Sequence, residues 1–237
     1  MRDVVAHLID VSTRRLSFQR DGHPPPVPPE NAAGNREFVA FVNSLNHQWV
    51  DAAQRLSPPM LTDLYEFVSL ALTDFVESLP IDCPALFAVS WAGEESSAGW
   101  FDLGRELTEQ WHHQAQIRDA VGAPPPRDAA ALKAVLQIAM RVLPFAYRDT
   151  PAAPGETVVV DIGGAAGGVW SLRRDRGRWT LWTGDDGTES ARITMDEDTA
   201  WRLLFNALPP ERAESLVVAS GDAELYRPLF GARSVIV

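Results

Sequence analysis

The chain has little cysteine and little positive charge, and each shortage narrows what it can do. Its single cysteine, Cys83, cannot form an intrachain disulfide, so a reducing cytoplasm is the expected compartment. Thirty-two acidic residues against 21 basic ones give a net charge of −11. That charge argues against a nucleic-acid partner, because a phosphate backbone requires a basic footprint. It argues equally against docking on anionic lipid.

Long hydrophobic runs are also lacking. No uninterrupted apolar run reaches the roughly 20 residues that cross a bilayer. The first ten residues, MRDVVAHLID, have neither the basic region nor the small-residue cleavage site of a signal peptide. The 237 residues are 46% hydrophobic and 22% charged, which is ordinary for a globular protein able to bury a core. We therefore expect a cytoplasmic protein with no membrane partner.

The first 149 residues have the apolar periodicity of helices. Helices are predicted at residues 3–19, 34–56, 58–79, 100–121 and 128–148. Ser57, followed by two prolines, predicts the cap and first turn of the third helix. One short strand is predicted within residues 85–93. Helices of this length joined by proline-rich turns predict a bundle over residues 1–149.

The texture of the sequence changes after a Pro- and Gly-containing linker at residues 150–157. Short apolar segments separated by Gly-rich or Arg/Asp/Gly turns now predict strands. Three strands are predicted within residues 157–185, a fourth at 191–195, a helix at 196–208, a strand within 214–222, a short helix at 223–231 and a terminal strand at 232–237. The predicted fold class is thus a helical bundle followed by an α+β domain over residues 156–237.

One helix carries an unusual polar constellation, TEQWHHQAQIRDAVG, at residues 108–122. Glu109 and His113 are four residues apart, so their side chains meet on one helix face and can deliver a carboxylate oxygen and an imidazole nitrogen to one ion. His112 lies three residues from Glu109, so helix geometry alone does not choose between the two histidines. His113 is preferred because it continues into an apolar line through Ile117, whereas His112 continues towards Gln116.

A third ligand must come from another segment, and His7 is the candidate. It lies among Val4, Leu8 and Val11 on the first helix, where an uncharged histidine needs a polar partner. Two imidazoles and one carboxylate leave positions open for water or a reacting ligand. The alternative is that His7 is a hydrogen-bonded core histidine and that Glu109 and His113 are a solvated surface pair.

Several stretches taken together resemble a known family. RDVVAHL at residues 2–8, SWAGEESSAGWFDLGRELTEQWHHQAQIRDAVG at residues 90–122 and the C-terminal segment are similar to the mycothiol-dependent maleylpyruvate isomerase-like proteins. These are metal-binding helical bundles of the DinB superfamily. The resemblance covers nearly the whole chain, and its most specific part is an early D-V-V-A-H-L paired with a later E-x-x-x-H.

The resemblance implies a fold, a ligand set and a chemistry. By motif, His7, Glu109 and His113 are the residues that hold a divalent metal in that family. Zinc is the first expectation, and nickel, iron or manganese also accept such ligands. The C-terminal segment resembles the family's sterol-carrier-like α+β domain, which supplies a catalytic arginine. Arg227 and Arg233 are the candidates for that arginine, and Gln116 and His112 are expected beside the metal or the substrate.

The chain departs from the family pattern in two places. Relatives usually have another helix before the D-V-V-A-H-L element, whereas this chain begins almost on it; either the true start lies upstream, or a partner such as a second copy completes the bundle. Many relatives have an aspartate where this chain has Gln116.

The function implied is that of a metal-dependent enzyme that uses a low-molecular-weight thiol, like mycothiol, for isomerisation of or S-transfer to an activated electrophile such as maleylpyruvate. A small-molecule substrate and the thiol are the expected partners, and a homodimer is left open. Metal-dependent hydrolysis is the alternative enzyme class. A third alternative is a non-enzymatic protein that binds a small apolar ligand.

Overall fold

The computed structural model of the chain describes residues 1–28, 35–126, 128–185 and 187–235. The helices predicted in the first part of the chain are present. They are α1 (Arg2–Arg15), α2 (Asn35–Ala53), α3 (Pro58–Ser78), α4 (Gly99–Ala120), α5 (Ala129–Ala139) and α6 (Leu143–Ala146). α1 continues without a break into a π-helical turn, Leu16–Arg20.

Side-chain caps stabilise the first turns of two helices, α3 and α5. Ser57 has an extended backbone, and its side chain accepts a hydrogen bond from the Met60 amide at 3.3 Å, so the predicted cap of α3 is confirmed. The Asp128 side chain caps α5 in the same manner, accepting from the amides of Ala130 and Ala131.

Two predictions in the first part of the chain are wrong in detail. Residues 85–93 form no strand; they run as bends into a 3-10 turn at Ser90–Ala92, and the only pairing near them is an isolated bridge between Pro84 and Ala98. The helix predicted at 128–148 is divided, with a 3-10 turn, Met140–Val142, separating α5 from α6. Pro144 explains the division, because it has no amide hydrogen to donate to the carbonyl of residue 140.

A buried ion pair fixes α1 against α4. The Arg15 guanidinium donates to Asp102 at 2.7 Å and to Glu106 at 3.1 Å, and all three residues are at most 9% exposed. On the same two helices, His7 faces Glu109. The pairs follow opposite chain directions, so α1 and α4 are antiparallel. Arg15 therefore sets the register that brings His7 to Glu109.

The segment Ala129–Ala146 is long and apolar enough to cross a membrane by length and composition alone. Lys133 and Arg141 interrupt it, and Val135, Leu136 and Ala139 on its apolar face are completely buried in the hydrophobic core. One such segment is weak evidence for a membrane span, because core helices have the same length and composition.

The second part of the chain is a mixed sheet with helices on it. Its strands are β1 (Thr157–Gly163), β2 (Gly168–Asp175), β3 (Arg178–Thr183), β4 (Ala191–Asp196) and β5 (Val218–Gly221), and its helices are α7 (Glu197–Leu204), α8 (Pro210–Glu214) and α9 (Ala223–Tyr226). The strand order is β3-β2-β1-β4-β5, and β1 pairs with β4 in parallel while the other pairs are antiparallel.

The C-terminal end differs from its prediction. A 3-10 turn, Arg227–Gly231, follows α9, and residues 232–235 are not in a strand. The Ser234 amide instead donates to the Leu204 carbonyl, and its hydroxyl donates to the Ala139 carbonyl of α5. The segment is thus occupied in joining the two parts of the chain. Residues 236 and 237 of the predicted terminal strand lie outside the described residues.

One continuous hydrophobic core crosses the seam, by which we mean the boundary between the helical part and the α+β part. Trp111 of α4 meets Trp201 of α7 edge to face, with ring centroids 5.4 Å apart. His112 stacks on Phe205, with centroids 5.1 Å apart and planes 4° from parallel. The α+β part therefore packs on α4 beside the polar constellation. The two parts together are a helical bundle joined to an α+β layer.

Candidate metal centre

Three side chains predicted from the sequence lie together in the structure. Glu109 Oε1 is 3.0 Å from His7 Nε2 and 3.2 Å from His113 Nε2. One ligand atom from each of the three residues lies within 4.8 Å of the others. The side chains are 14 to 25% exposed, so the group lies between the core and the solvent. The group is built by α1 and α4, and His7 and Glu109 are 102 residues apart in sequence.

Gln116 orients the ring of His113. Its Oε1 lies 2.8 Å from His113 Nδ1. An amide oxygen can only accept, so Nδ1 carries the proton and donates it to Gln116. Nε2 faces Glu109, and it would give up the proton that it shares with that carboxylate in order to bind a metal ion. Gln116 thus performs the orienting role that a carboxylate or carbonyl fills in many histidine metal sites.

The local charges favour an ionised glutamate. Burial opposes ionisation of Glu109, yet hydrogen bonds from His113 and His7 hold its pKa well below the usual range. Burial would lower the pKa of His113, but the hydrogen bond and charge of Glu109 outweigh it and raise that pKa. A divalent cation could replace the protons that this carboxylate shares with the two imidazoles.

His112 plays a different part from its neighbour. Only 4% of it is exposed, so the expectation that His113 is the more inward of the two histidines is wrong. Its Nδ1 lies 2.8 Å from the Thr108 carbonyl, and its ring lies between those of Phe205 and His113. Burial, followed by the charge of His113, lowers the pKa of His112 to about 4. His112 is therefore a neutral packing residue against the ring of a candidate ligand.

The donor set fits a divalent metal. Two imidazole nitrogens and one carboxylate are ligands that zinc, nickel, iron and manganese accept, and such a set leaves coordination positions for water or substrate. All three side chains are partly exposed to solvent. His7, Glu109 and His113 are the residues that would hold the ion.

An ion pair that the sequence alone did not indicate joins the α+β part to α4 close to this group. Arg202 of α7 donates through both terminal nitrogens to Asp119, the second contact at 3.1 Å. Its Nε donates to Asp198 at 2.8 Å. Asp119 follows Gln116 by three residues and so lies one turn further along α4. The spacing of Gln116 and Asp119 on α4 could be read from the sequence, but the partner of Asp119, Arg202 in α7, could not.

The two arginines proposed from the family resemblance lie elsewhere. Arg227 is exposed and pairs with Glu224 at 3.5 Å. Arg233 binds Asn206 and two backbone carbonyls. In the described part of the chain, neither forms a hydrogen bond or ion pair with the three candidate ligands.

Comparison with known proteins shows the fold. No protein-family model and no curated protein matches the chain. A solved structure of a mutant of the mycothiol-dependent maleylpyruvate isomerase has a TM-score of 0.50, with 12% identity over 94% of this chain and 78% of that chain. The chain is therefore similar in fold to that isomerase.

A second structure, named UbiJ-SCP2 ubiquinone synthesis protein, matches 44% of this chain and 90% of its own at 13% identity. Its TM-score of 0.29 is too low to bear on fold or function.

Proposed function

We propose that the chain is a divalent-metal-dependent enzyme that uses a small-molecule thiol to isomerise an activated double bond or to transfer sulfur to an electrophile. The observation that carries this proposal is the approach of His7 and His113 to one carboxylate oxygen of Glu109, at 3.0 and 3.2 Å. The similar fold of a mycothiol-dependent isomerase supports the choice of a thiol and of maleylpyruvate-like electrophiles.

A divalent ion at this centre would stabilise the thiolate of a bound thiol at neutral pH. In isomerisation, the thiolate adds to the activated carbon–carbon double bond, which becomes a rotatable single bond. Expulsion of the same thiolate restores the double bond in the trans form, so the thiol is regenerated. Retention of the carbon–sulfur bond, with a proton taken up at the neighbouring carbon, gives the S-transfer product instead.

The residues of the chain supply binding and orientation for this chemistry. His7, Glu109 and His113 bind the ion, and Gln116 holds the tautomer of His113. Cys83 is not needed as a nucleophile, because the attacking sulfur belongs to the small thiol. Its Sγ donates a hydrogen bond to the Pro80 carbonyl at 3.0 Å, in the loop before α4.

Metal analysis of the purified chain tests the proposal. We expect about one divalent ion per chain, because the three ligands form one site. Removal of one ligand in His7→Ala or Glu109→Ala should abolish binding of that ion. His47→Ala is the matched control, because His47 is an exposed histidine of α2 and should leave the ion in place. Full occupancy in both ligand variants would contradict the metal centre.

An activity screen separates thiol chemistry from hydrolysis. The wild-type protein is given a thiol with activated cis-alkenes and alkyl halides, and in parallel an ester and amide panel without thiol. Thiol-dependent turnover that disappears in Glu109→Ala is expected. Turnover of esters or amides with no thiol would instead support metal-assisted hydrolysis, the second enzyme class that such a site permits.

A further inference from the structure

A cavity lies on the seam, and none of the three candidate metal ligands lines it. Its volume is about 330 Å³, which is within the range of small-molecule sites. Trp91, Val142 and Phe145 line it from the helical part, and Pro228 and Gly231 line it from the α+β part. We call it the seam cavity. Boundaries between folded parts are where ligand sites commonly occur.

The lining of the seam cavity combines apolar walls with positive charge. The aromatic rings of Trp91 and Phe145 form part of the wall, and Arg148 and Arg233 supply two guanidinium groups. No acidic side chain is among the described residues that line it. Two arginines in a cavity without a lining carboxylate stand out in a chain whose net charge is −11.

Arg233 is held in place by neutral acceptors. Its Nε donates to Asn206 Oδ1 at 3.0 Å, and its Nη1 donates to the carbonyls of Phe230 and Ala232 at 3.0 and 2.7 Å. Among the residues that the structure describes, no carboxylate lies within ion-pair distance of it, and its Nη2 has no hydrogen-bond partner. Burial lowers the pKa of Arg233, as expected for a cation whose lost hydration no anion replaces.

Arg148 is also held in place, by contacts of two of its three guanidinium nitrogens. Its guanidinium carbon lies 4.0 Å from the centroid of the Phe145 ring, and its Nη1 donates to the Phe145 carbonyl at 2.7 Å. Its Nε contacts Asp149 at 3.3 Å, where both groups are well exposed. The cation is thus fixed over one of the aromatic walls.

We propose that the seam cavity binds a small organic carboxylate with an aromatic body, the carboxylate between Arg148 and Arg233 and the ring against Trp91 and Phe145. Guanidinium groups recognise carboxylates through paired charge-assisted hydrogen bonds. The apolar walls favour a carboxylate with an apolar body over a bare inorganic anion. The inference goes beyond the proposed function and does not depend on the metal centre.

Calorimetric titration of the full chain with benzoate tests the proposal, with benzamide as the neutral analogue of the same shape. We expect benzoate to bind and benzamide to bind at least about tenfold more weakly, because charged hydrogen bonds are worth that much. Arg233→Gln should weaken benzoate by a similar factor. Arg227→Gln is the matched control, because Arg227 is an exposed arginine at the start of the 3-10 turn that precedes Arg233, and it does not line the cavity.

A second variant blocks the cavity without removing either arginine. Gly231 lines the cavity and a Cβ built on it meets no atom within 4 Å, so Gly231→Leu adds bulk at the cavity wall without a steric clash at Cβ. We expect it to abolish benzoate binding while the protein remains folded by circular dichroism. His7→Ala should bind benzoate as the wild type does, which separates this site from the metal centre.

Several outcomes would overturn the proposal. Equal affinity for benzoate and benzamide would show that charge does not matter. Unchanged benzoate binding in both Arg233→Gln and Gly231→Leu would place the ligand elsewhere, and loss in His7→Ala would assign it to the metal centre. An absence of benzoate binding in the wild-type chain would refute the site outright.

Discussion

Replacing Gln116 with leucine removes the acceptor of the His113 Nδ1 proton without touching a metal ligand. In the structure that hydrogen bond is 2.8 Å long and fixes which ring nitrogen faces Glu109. Without it, the ring of His113 can take the other tautomer and turn, and metal binding must reverse both changes. Loss of such an orienting partner typically costs 10- to 100-fold in metal affinity, or about 1.4 to 2.8 kcal/mol.

Competition between the protein and a chelator for Zn²⁺ measures this effect. Gln116→Leu should bind Zn²⁺ 10- to 100-fold more weakly than the wild type. Gln116→Glu should bind at least as tightly as the wild type, because a carboxylate accepts the Nδ1 proton better than an amide does. The pair of variants separates the loss of an acceptor from a general disturbance of α4.

Gln110→Leu is the control for position on the same helix. Gln110 lies in α4, donates to Glu106 at 2.9 Å and accepts from Tyr65 at 3.2 Å, with no hydrogen bond to a candidate ligand. Its loss should leave Zn²⁺ affinity within a factor of two or so of the wild type by the same reasoning. Unchanged Zn²⁺ affinity in Gln116→Leu, or an equal loss in Gln110→Leu, would refute the role of Gln116.

Two further predictions concern the ion pairs that hold the fold. Arg15→Met leaves the buried Glu106 without a cation, while Asp102 keeps its pair with Arg105, and it should lower the free energy of unfolding in urea by about 3–5 kcal/mol. Arg227→Met, at the exposed pair with Glu224, should cost about 1 kcal/mol or less, and equal losses would contradict this. Arg202 lowers the pKa of Asp119 below 3.8, so their contribution exists above that pH and is lost as pH falls through the lowered pKa. Asp119→Asn should therefore cost at most about 1 kcal/mol at pH 7 and less as the pH falls through the lowered pKa, and a cost that grows in acid would refute the sign.

Most helices and strands were predictable because their signals are local. α4 spans Gly99–Ala120 against a prediction of 100–121, since apolar periodicity and the following Gly122 define it without reference to the rest of the chain. β1 to β4 follow in the same way from short apolar runs between glycine-containing turns.

The failed strand at residues 85–93 shows where local signals stop. An apolar run becomes a strand only when another strand pairs with it, and the described part of the helical bundle offers nothing beyond the bridge of Pro84 to Ala98. Leu86 and Phe87 are about half exposed instead of packed. Hydrophobicity alone gives no information about the partner.

The candidate metal centre was likewise predictable only where its signals are local. The spacing of Glu109 and His113 is a property of one helix, so sequence reveals it. The approach of His7 depends on the antiparallel packing of α1 on α4, which the buried contacts of Arg15 hold in register. The deep burial of His112 depends on Phe205, from the other part of the chain. Neither tertiary contact has a signature in the sequence near the site.

α4 presents different faces to the two parts of the molecule, and the arrangement couples them. Asp102, Glu106 and Glu109 point towards α1, whereas Trp111 and His112 pack on α7 and its C-terminal end. The ring of His112 lies 4.0 Å from that of His113. Because cores transmit displacement through close-packed rings, a shift of Phe205 must be taken up by His112 and then by the candidate ligand beside it. The α+β part can thereby shape the candidate metal centre, although His7, Glu109 and His113 all belong to the helical part.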